Sequence, residues 1–498
     1  AVKSIYREML RIIRNGFTAS EYDRARTEFL ADLETAYNQR EKKSSQAYCQ
    51  ELVRHFIDNE PIPGIENEFA LMSQLAPNIP VELVNQIVST QYPVDSNLVV
   101  VNMLPEIEGL AYPSNEQLKE ALASVAAEDI APYQDEVSDK PLVSKLRKSG
   151  KVKKSVPAEL GYTKYTLSNG ATVYFKHTDF NKDEILVNAF SQGGLSLYSD
   201  SEIYTLQTVS DLIEVGGLGD FSPIELNKAL TGKKVSATPY VGNYSEGIEG
   251  SSTPKDIETL FQLFYLYFTD LRYDEESFAS WKTKTSVALA NAEAQPFAAL
   301  GDTIANTIYT NPTWAKSLKY KDLDKVDYAR ALEIAKERFA NASDFTFTIT
   351  GNISEDELKP LLCKYVASLP GKGKKESYKQ VLDFKLGMLT NEFEKQMTNP
   401  MAMNLYVYNS PVQYDLKENL TLEIMSSALG IILHEEIREN EGGTYGISAY
   451  ATAKPEPVDK AILQITYQTD PQRYEYLNSR VEAIVSEFAE NGPREVDV

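Results

Sequence analysis

The chain is poor in the residues that hold metals and disulfides. Among its 498 residues are three histidines and two cysteines. His55, His177 and His434 are far apart, no two within a helical turn, and Cys49 and Cys363 stand alone. This spacing excludes a cysteine zinc site, a CxxC redox pair and a two-histidine metal pair on one helix. It also excludes a disulfide framework, so stability has to come from packed cores, for which the length is ample. Each cysteine has an apolar or aromatic neighbour and is read as a small buried hydrophobe.

Long apolar runs are also missing. Leu260 to Phe268, broken by Gln262, and Ala428 to Leu433 fall well short of the ~18 residues of a membrane-spanning helix. Positive charge is in the minority, with 50 Lys plus Arg against 72 Asp plus Glu and a net charge of -22. Such a surface repels phosphate backbones and argues against a nucleic-acid partner. The first residues read as the middle of an amphipathic helix, with Ile5, Met9, Ile12 and Ile13 at helical spacing, rather than as a signal peptide. An opening in mid-helix without Met predicts a piece of a longer protein, in which the compartment, periplasm or cytoplasm, stays open.

What is present is a repeated order of elements. Thr18-Ala19-Ser20-Glu21 is a capping box that opens a helix to about Gln39. Helices near Gln46 to Asn59, from Glu66, and over Val81 to Thr90 follow, then a strand over Asn97 to Met103. The order recurs from Tyr273. Asp274 caps a helix to about Glu293, helices cover Phe297 to Tyr309 and Tyr328 to Asn341, and the strand Phe345 to Thr350 closes the unit. A third copy is predicted to start at Glu490-Asn491-Gly492-Pro493. Between the first unit and the next lies a connection, 105–160, with a helix over Ser114 to Ala126. Its remainder reads as polar and irregular, and its basic run from Lys145 to Lys154 as a solvated linker rather than an anion patch.

A mixed layer begins after Gly161. Tyr165 to Phe175 alternates on both sides of Asn169-Gly170, a strong hairpin signal. A strand at Ile185 to Phe190, helices at Glu202 to Val215 and Pro223 to Leu230, and strands at Lys234 to Tyr240 and Tyr244 to Gly250 follow. The apolar helix Thr253 to Asp270 leads into the second repeat. After Pro370-Gly371 the plan restarts. Strands are predicted at Phe393 to Met397, Met403 to Tyr408, Thr444 to Thr452 and Ala461 to Gln468, with helices at Leu416 to Arg438 and Gln472 to Glu490. The pattern is α+β, a mainly antiparallel sheet with helices packed on one face.

Three stretches resemble the M16 (pitrilysin or insulinase-type) zinc peptidases, specifically the large single-chain bacterial members. They are Leu167 to Lys176 with Ala189 to Gly194, Leu358 to Pro370, and Leu433-His434-Glu435-Glu436-Ile437-Arg438 through Thr444-Tyr445-Gly446. The last is the most specific, because family members carry an Arg and a Tyr seven residues apart. The resemblance covers essentially the whole chain and implies repeated M16/LuxS-type domains. On that reading 1–104 is the back part of domain two, 105–160 the interdomain hinge, 161–371 a metal-free domain three and 372–498 domain four.

The resemblance also implies what is absent. Family activity rests on HxxEH and a distant Glu that bind Zn²⁺ and activate water, and this sequence contains no HxxEH. In domain three the corresponding position falls near Thr208 to Leu212, where neither Thr208 nor Leu212 can replace a histidine. No metal ligand is therefore assigned here, and zinc is expected in an N-terminal domain of the intact protein. His434 beside Glu435 and Glu436 is poor metal geometry, since adjacent carboxylates point around a helix.

Arg438 has two readings. It ends a helix whose buried stripe is Leu422, Met425, Leu429 and Leu433, and lies far around from it. By itself it could simply complement the helix dipole, and Tyr445, on a strand face with Ile447 and Ala449, could simply pack. The family spacing implies instead that both bind substrate, with the Tyr445 hydroxyl donating to the scissile carbonyl oxygen. The implied partners are peptides and the N-terminal half of the same protein. The chain itself would be the inactive, substrate-enclosing part of a zinc endopeptidase. A non-peptidase scaffold of the same family and a bare peptide-binding module are the other classes left open.

Overall fold

The computed structural model describes residues 1–92, 98–104, 111–135, 140–295, 297–371 and 375–497. The predicted boundaries at 105 and 372 and residues 136–139 of the polar connection lie outside them. The first unit is helical: α1 (Val2–Asn15), α2 (Ala19–Asn38), α3 (Ser45–Asp58), α4 (Ile65–Leu75), α5 (Val81–Gln91) and α6 (Asn115–Ala126). The capping box forms, with Thr18 accepting from the Glu21 amide and Glu21 reaching back to the Thr18 amide. Tyr6 and Leu10 pack on Val125 and Ile130, and Arg7 grips Glu128 through two nitrogens at 2.5 and 2.8 Å.

The strand predicted over Asn97 to Met103 does not form. Residues 98–104 have no regular structure, and Asn97 lies outside the described residues. A strand's backbone groups need a ladder partner, and none pairs with 98–104 among the described residues. Cys49 corrects another expectation, because it is exposed on α3, while Cys363 is half-buried.

The central layer holds β1 (Val152–Pro157), β2 (Thr163–Leu167), β3 (Thr172–His177), β4 (Ile185–Gln192), α7 (Ile203–Leu206), α8 (Val209–Val215), α9 (Pro223–Ala229), β5 (Val235–Val241) and β6 (Ser245–Ser252). After them come α10 (Ile257–Thr269), α11 (Glu275–Ala294), α12 (Ala298–Ile308), α13 (Tyr328–Arg338), β7 (Thr346–Gly351) and α14 (Glu355–Leu361). Among the described residues the strands form one sheet in the order β1-β2-β3-β7-β4-β6-β5. Only β3 and β7 run parallel. Strand β1 corrects the reading of its stretch as irregular linker. Its ladder to β2 runs from Val152–Leu167 to Pro157–Thr163 with one irregularity.

Along β4, Ile185, Val187 and Ala189 are buried while Leu186 and Phe190 are exposed. One sheet face is thus covered and the other open, as a period of two dictates. The covering helix is α10, buried nearly all round from Leu260 to Phe268. That is the apolar run too short to span a membrane, and no helix of the described residues is long and apolar enough to do so. Glycine at 250 lets α10 close on β6, since a Cβ there would lie 2.6 Å from Phe264.

The first unit meets this layer through charge. Asp135, its side chain 2% exposed, takes Arg24 of α2 at 2.5 Å and Lys228 of α9 at 2.7 Å. Lys234 pairs with Glu28 and Asp32 of α2 at 2.5 and 2.7 Å.

The last layer comprises β8 (Ala402–Pro411), α15 (Leu416–Leu433), β9 (Ile447–Lys454), β10 (Lys460–Thr469) and α16 (Tyr474–Asn491). Its strands pair antiparallel in the order β8-β10-β9. The strand predicted at Phe393 to Met397 does not form, because that exposed stretch finds no ladder partner among the described residues. The segment leading to this layer is tied on both sides. The Lys379 amide donates to Ser196 at 3.0 Å, the Leu382 amide to Tyr244 at 3.1 Å, and Lys460 pairs with Asp383 at 2.6 Å. Asn15-Gly16 and Asn491-Gly492 end their helices alike, with Gly16 at φ 75° and Gly492 at φ 73°.

Candidate substrate-positioning site

Helix α15 begins at Asp415, which accepts from the Glu418 amide at 2.7 Å. Asn419 accepts from the Ala453 amide at 2.8 Å and ties the helix start to β9. The inner face, Leu429 and Leu433, continues into Ile437 and packs on Ile447, Ile465, Tyr467, Leu477 and Val481. The helix does not run regularly to Arg438. From His434 to Asn440 it widens into a π-turn, a local irregularity frequent at functional sites.

The turn is pinned from several directions. The Glu441 amide donates to the Glu436 carbonyl at 3.1 Å and the Gly443 amide to the Ile437 carbonyl at 2.9 Å. Gly442 sits at φ 57°, backbone that a residue with a Cβ rarely adopts. The Thr469 hydroxyl donates to the Gly443 carbonyl at 2.6 Å. From α16, Tyr476 and Arg480 reach the Glu441 carboxylate at 2.8 and 3.3 Å, and Arg473 donates to the Glu441 carbonyl at 3.1 Å.

Arg438 and Tyr445 project from opposite ends of this turn. Arg438 is exposed, and its Nη1 donates to His434 Nε2 at 2.5 Å. Tyr445 is 98% exposed, and its hydroxyl has no hydrogen-bond partner among the described residues. The predicted shared face of Tyr445, Ile447 and Ala449 is corrected here. Strand β9 starts only at Ile447, and Ile447 faces the core. Thr444 turns the chain just before it, its hydroxyl bonding both the amide and the carbonyl of Gly446. Alternation begins only where the ladder begins, so Tyr445 is released outward.

Among the described residues no three His, Cys, Asp or Glu converge as a metal site. Thr208 is buried and donates to the Thr205 carbonyl at 2.9 Å, and Leu212 is wholly in the core. Glu435 and Glu436 turn away from His434, to Arg494 at 2.6 Å and Arg480 at 3.4 Å.

One charged cluster had no sequence signal. Glu246 on β6 is 1% exposed and accepts from the Gly194 amide at 2.7 Å. Burial pushes its carboxyl up to about 7, against the pull of that amide and of Arg338. Arg338, at the end of α13, pairs with Glu376 at 2.7 Å and so holds the start of the segment that leads to the last layer. A Glu between Ser245 and Gly247 looks like any outward strand residue until the pairing is known.

The fold is one shared with solved M16-type proteases. Residues 325–498 match the family described as the peptidase M16 inactive domain, and the chain is homologous to PqqL-like zinc proteases. It is 26% identical over 362 residues to the zinc protease PQQL-like of Arabidopsis thaliana, covering 72% of this chain and 35% of that protein. It is 22% identical over 499 residues to the probable zinc protease PqqL of Escherichia coli, covering 96% of this chain and 51% of that protein. The crystal structure of the periplasmic protease PqqL from Escherichia coli shares the fold, with a TM-score of 0.64 at 18% identity, over 100% of this chain and 55% of that one. The chain thus spans between a third and about half of these relatives. It is consistent with the non-catalytic half of an M16 peptidase.

Proposed function

We propose that this chain is the substrate-enclosing, non-metal portion of an M16-type zinc endopeptidase that hydrolyses peptides in a closed chamber. In this reading 1–104 is the back of domain two, 105–160 the hinge, 161–371 domain three and 372–498 domain four. The partners are peptide substrates and the N-terminal half of the same protein, which carries the zinc ligands. A zinc held there would supply polarisation of the scissile carbonyl and an activated water. This chain's residues position the peptide. Arg438 donates to its backbone carbonyls and fixes its register. Tyr445 donates to the carbonyl oxygen on which negative charge develops.

The observation that carries this reading is the exposure of Tyr445 on a turn otherwise pinned throughout. A preorganised backbone presents a free hydroxyl, as an oxyanion donor requires. Strand β9, two residues on, is an edge of its sheet among the described residues, so a peptide can add to it as a strand. The first unit supports a covering partner. Helix α3 leaves Leu52, Val53, Phe56 and Ile57 exposed, Phe56 at 89%, and a contiguous apolar patch of this kind marks an interaction surface.

The test is Tyr445→Phe in the intact peptidase. Losing one oxyanion donor lowers kcat by about 10²–10³. An unchanged kcat/KM would sink the assignment. The isolated chain is expected to bind no stoichiometric zinc and to cleave no peptide, and elemental analysis finding one zinc per chain would contradict this.

A further inference from the structure

The contact between Arg438 and His434 fixes which atom donates and which accepts. A guanidinium has five N–H donors and no acceptor. At 2.5 Å, Arg438 Nη1 must donate and His434 Nε2 must accept. On the other side of the ring, Nδ1 lies 3.5 Å from Glu439 Oε1.

The other charges around the turn are already engaged. Arg473, Tyr476 and Arg480 of α16 go to Glu441 and Glu436, and Arg494 goes to Glu435. The Nε2 lone pair of His434 is therefore what orients the guanidinium. The π-turn contributes, because its wider winding resets the direction of every side chain after His434.

We infer that His434 is a positioning residue for Arg438: its Nε2 holds one edge of the guanidinium and leaves the other edge for peptide carbonyls. This rests on the substrate role of Arg438 proposed above. A cation in place of the imidazole would remove that acceptor and repel the guanidinium, so Arg438 would be released. A freely rotating arginine must be ordered by the peptide at each binding event, which weakens binding by about three- to tenfold. The chemical step is unaffected, because neither group touches the reacting atoms.

A purely local helix contact would alter stability alone, so the test reads binding. In the intact peptidase, kcat and KM for an internally quenched peptide are measured beside thermal stability. The variants are His434→Gln, His434→Lys, Arg438→Ala and the double variant His434→Lys/Arg438→Ala. His434→Gln, which keeps an acceptor, should hold the parent KM. His434→Lys should raise KM about tenfold, by placing a cation against Arg438, with kcat nearly unchanged. It should add nothing once Arg438 is gone. If Arg438→Ala raises KM but the His434 variants do not, or their effects add, the positioning role is wrong and the role of Arg438 stands. If Arg438→Ala leaves KM unchanged, both are wrong.

Discussion

Gly443 lies directly against Leu477: a Cβ on residue 443 would sit 2.6 Å from Leu477 Cδ2 and 2.7 Å from Cδ1. Leu477 is fully buried among the side chains that join α15 to α16. The close approach lets the turn carrying Arg438 and Tyr445 rest on the core. Gly443→Ala should therefore cost about 1–3 kcal/mol, the range of overpacking in a filled core. Thermal unfolding measures it, and peptide turnover in the intact peptidase should fall further than stability does. An unchanged Tm would show that Leu477 can yield.

Asp135 predicts acid sensitivity at the junction of the first unit and the central layer. Arg24, Lys228 and Ser20 hold its carboxyl well below the usual carboxylate range. A group depressed in the folded state stabilises above its unfolded pKa, here 3.8, and loses that stabilisation as the pH falls below it. Asp135→Asn leaves two cations without their shared counter-charge and should cost on the order of 3 kcal/mol. Hydrogen exchange should speed up in α2 and around Lys228. Unchanged exchange there would refute the view that charge holds these units together.

Glu246 predicts the opposite slope. Its folded carboxyl titrates at about 7, raised from 4.5. The folded state keeps a proton that the unfolded chain releases between these values, so stability falls as the pH rises through about 7. Glu246→Gln should abolish that slope and stabilise the protein by up to about 3 kcal/mol at pH 8. Denaturant melts at pH 5 and pH 8 decide it, and equal slopes in variant and parent would count against the assignment.

Leu260→Ala tests the central core. Leu260 is fully buried on α10, beneath β6 and among the aromatic residues around Phe264. Removing its side chain should cost about 2–5 kcal/mol, according to how far the cavity collapses. A loss under 1 kcal/mol would mean that α10 repacks freely.

Local features were legible where local chemistry sets them. The Asn169-Gly170 hairpin, the Thr18 and Asp274 caps and the buried helix over 257–269 rest on turn residues, capping side chains and periodicity within a few positions. The strand predicted after the first helical unit failed for lack of a partner. Phe345 to Thr350 forms β7 because β3 and β4 flank it, and residues 98–104 have no such neighbours among the described residues. Arg438 and Tyr445 were singled out only through the family resemblance, and their orientations were not legible, since the π-turn and the late start of β9 both depend on how α15 seats on its sheet.

The sequence by itself determined the α+β class, the absence of HxxEH and the turn between Arg438 and Tyr445, because these are properties of residue type and short-range order. Only the tertiary structure decided which carboxylates are buried and what faces them. Asp135 meets Arg24 and Lys228 from 111 and 93 residues away, and Glu246 meets the Gly194 amide from 52. Charge burial depends on which distant segments close over a group, and that information is held in the packing rather than in any window of the chain.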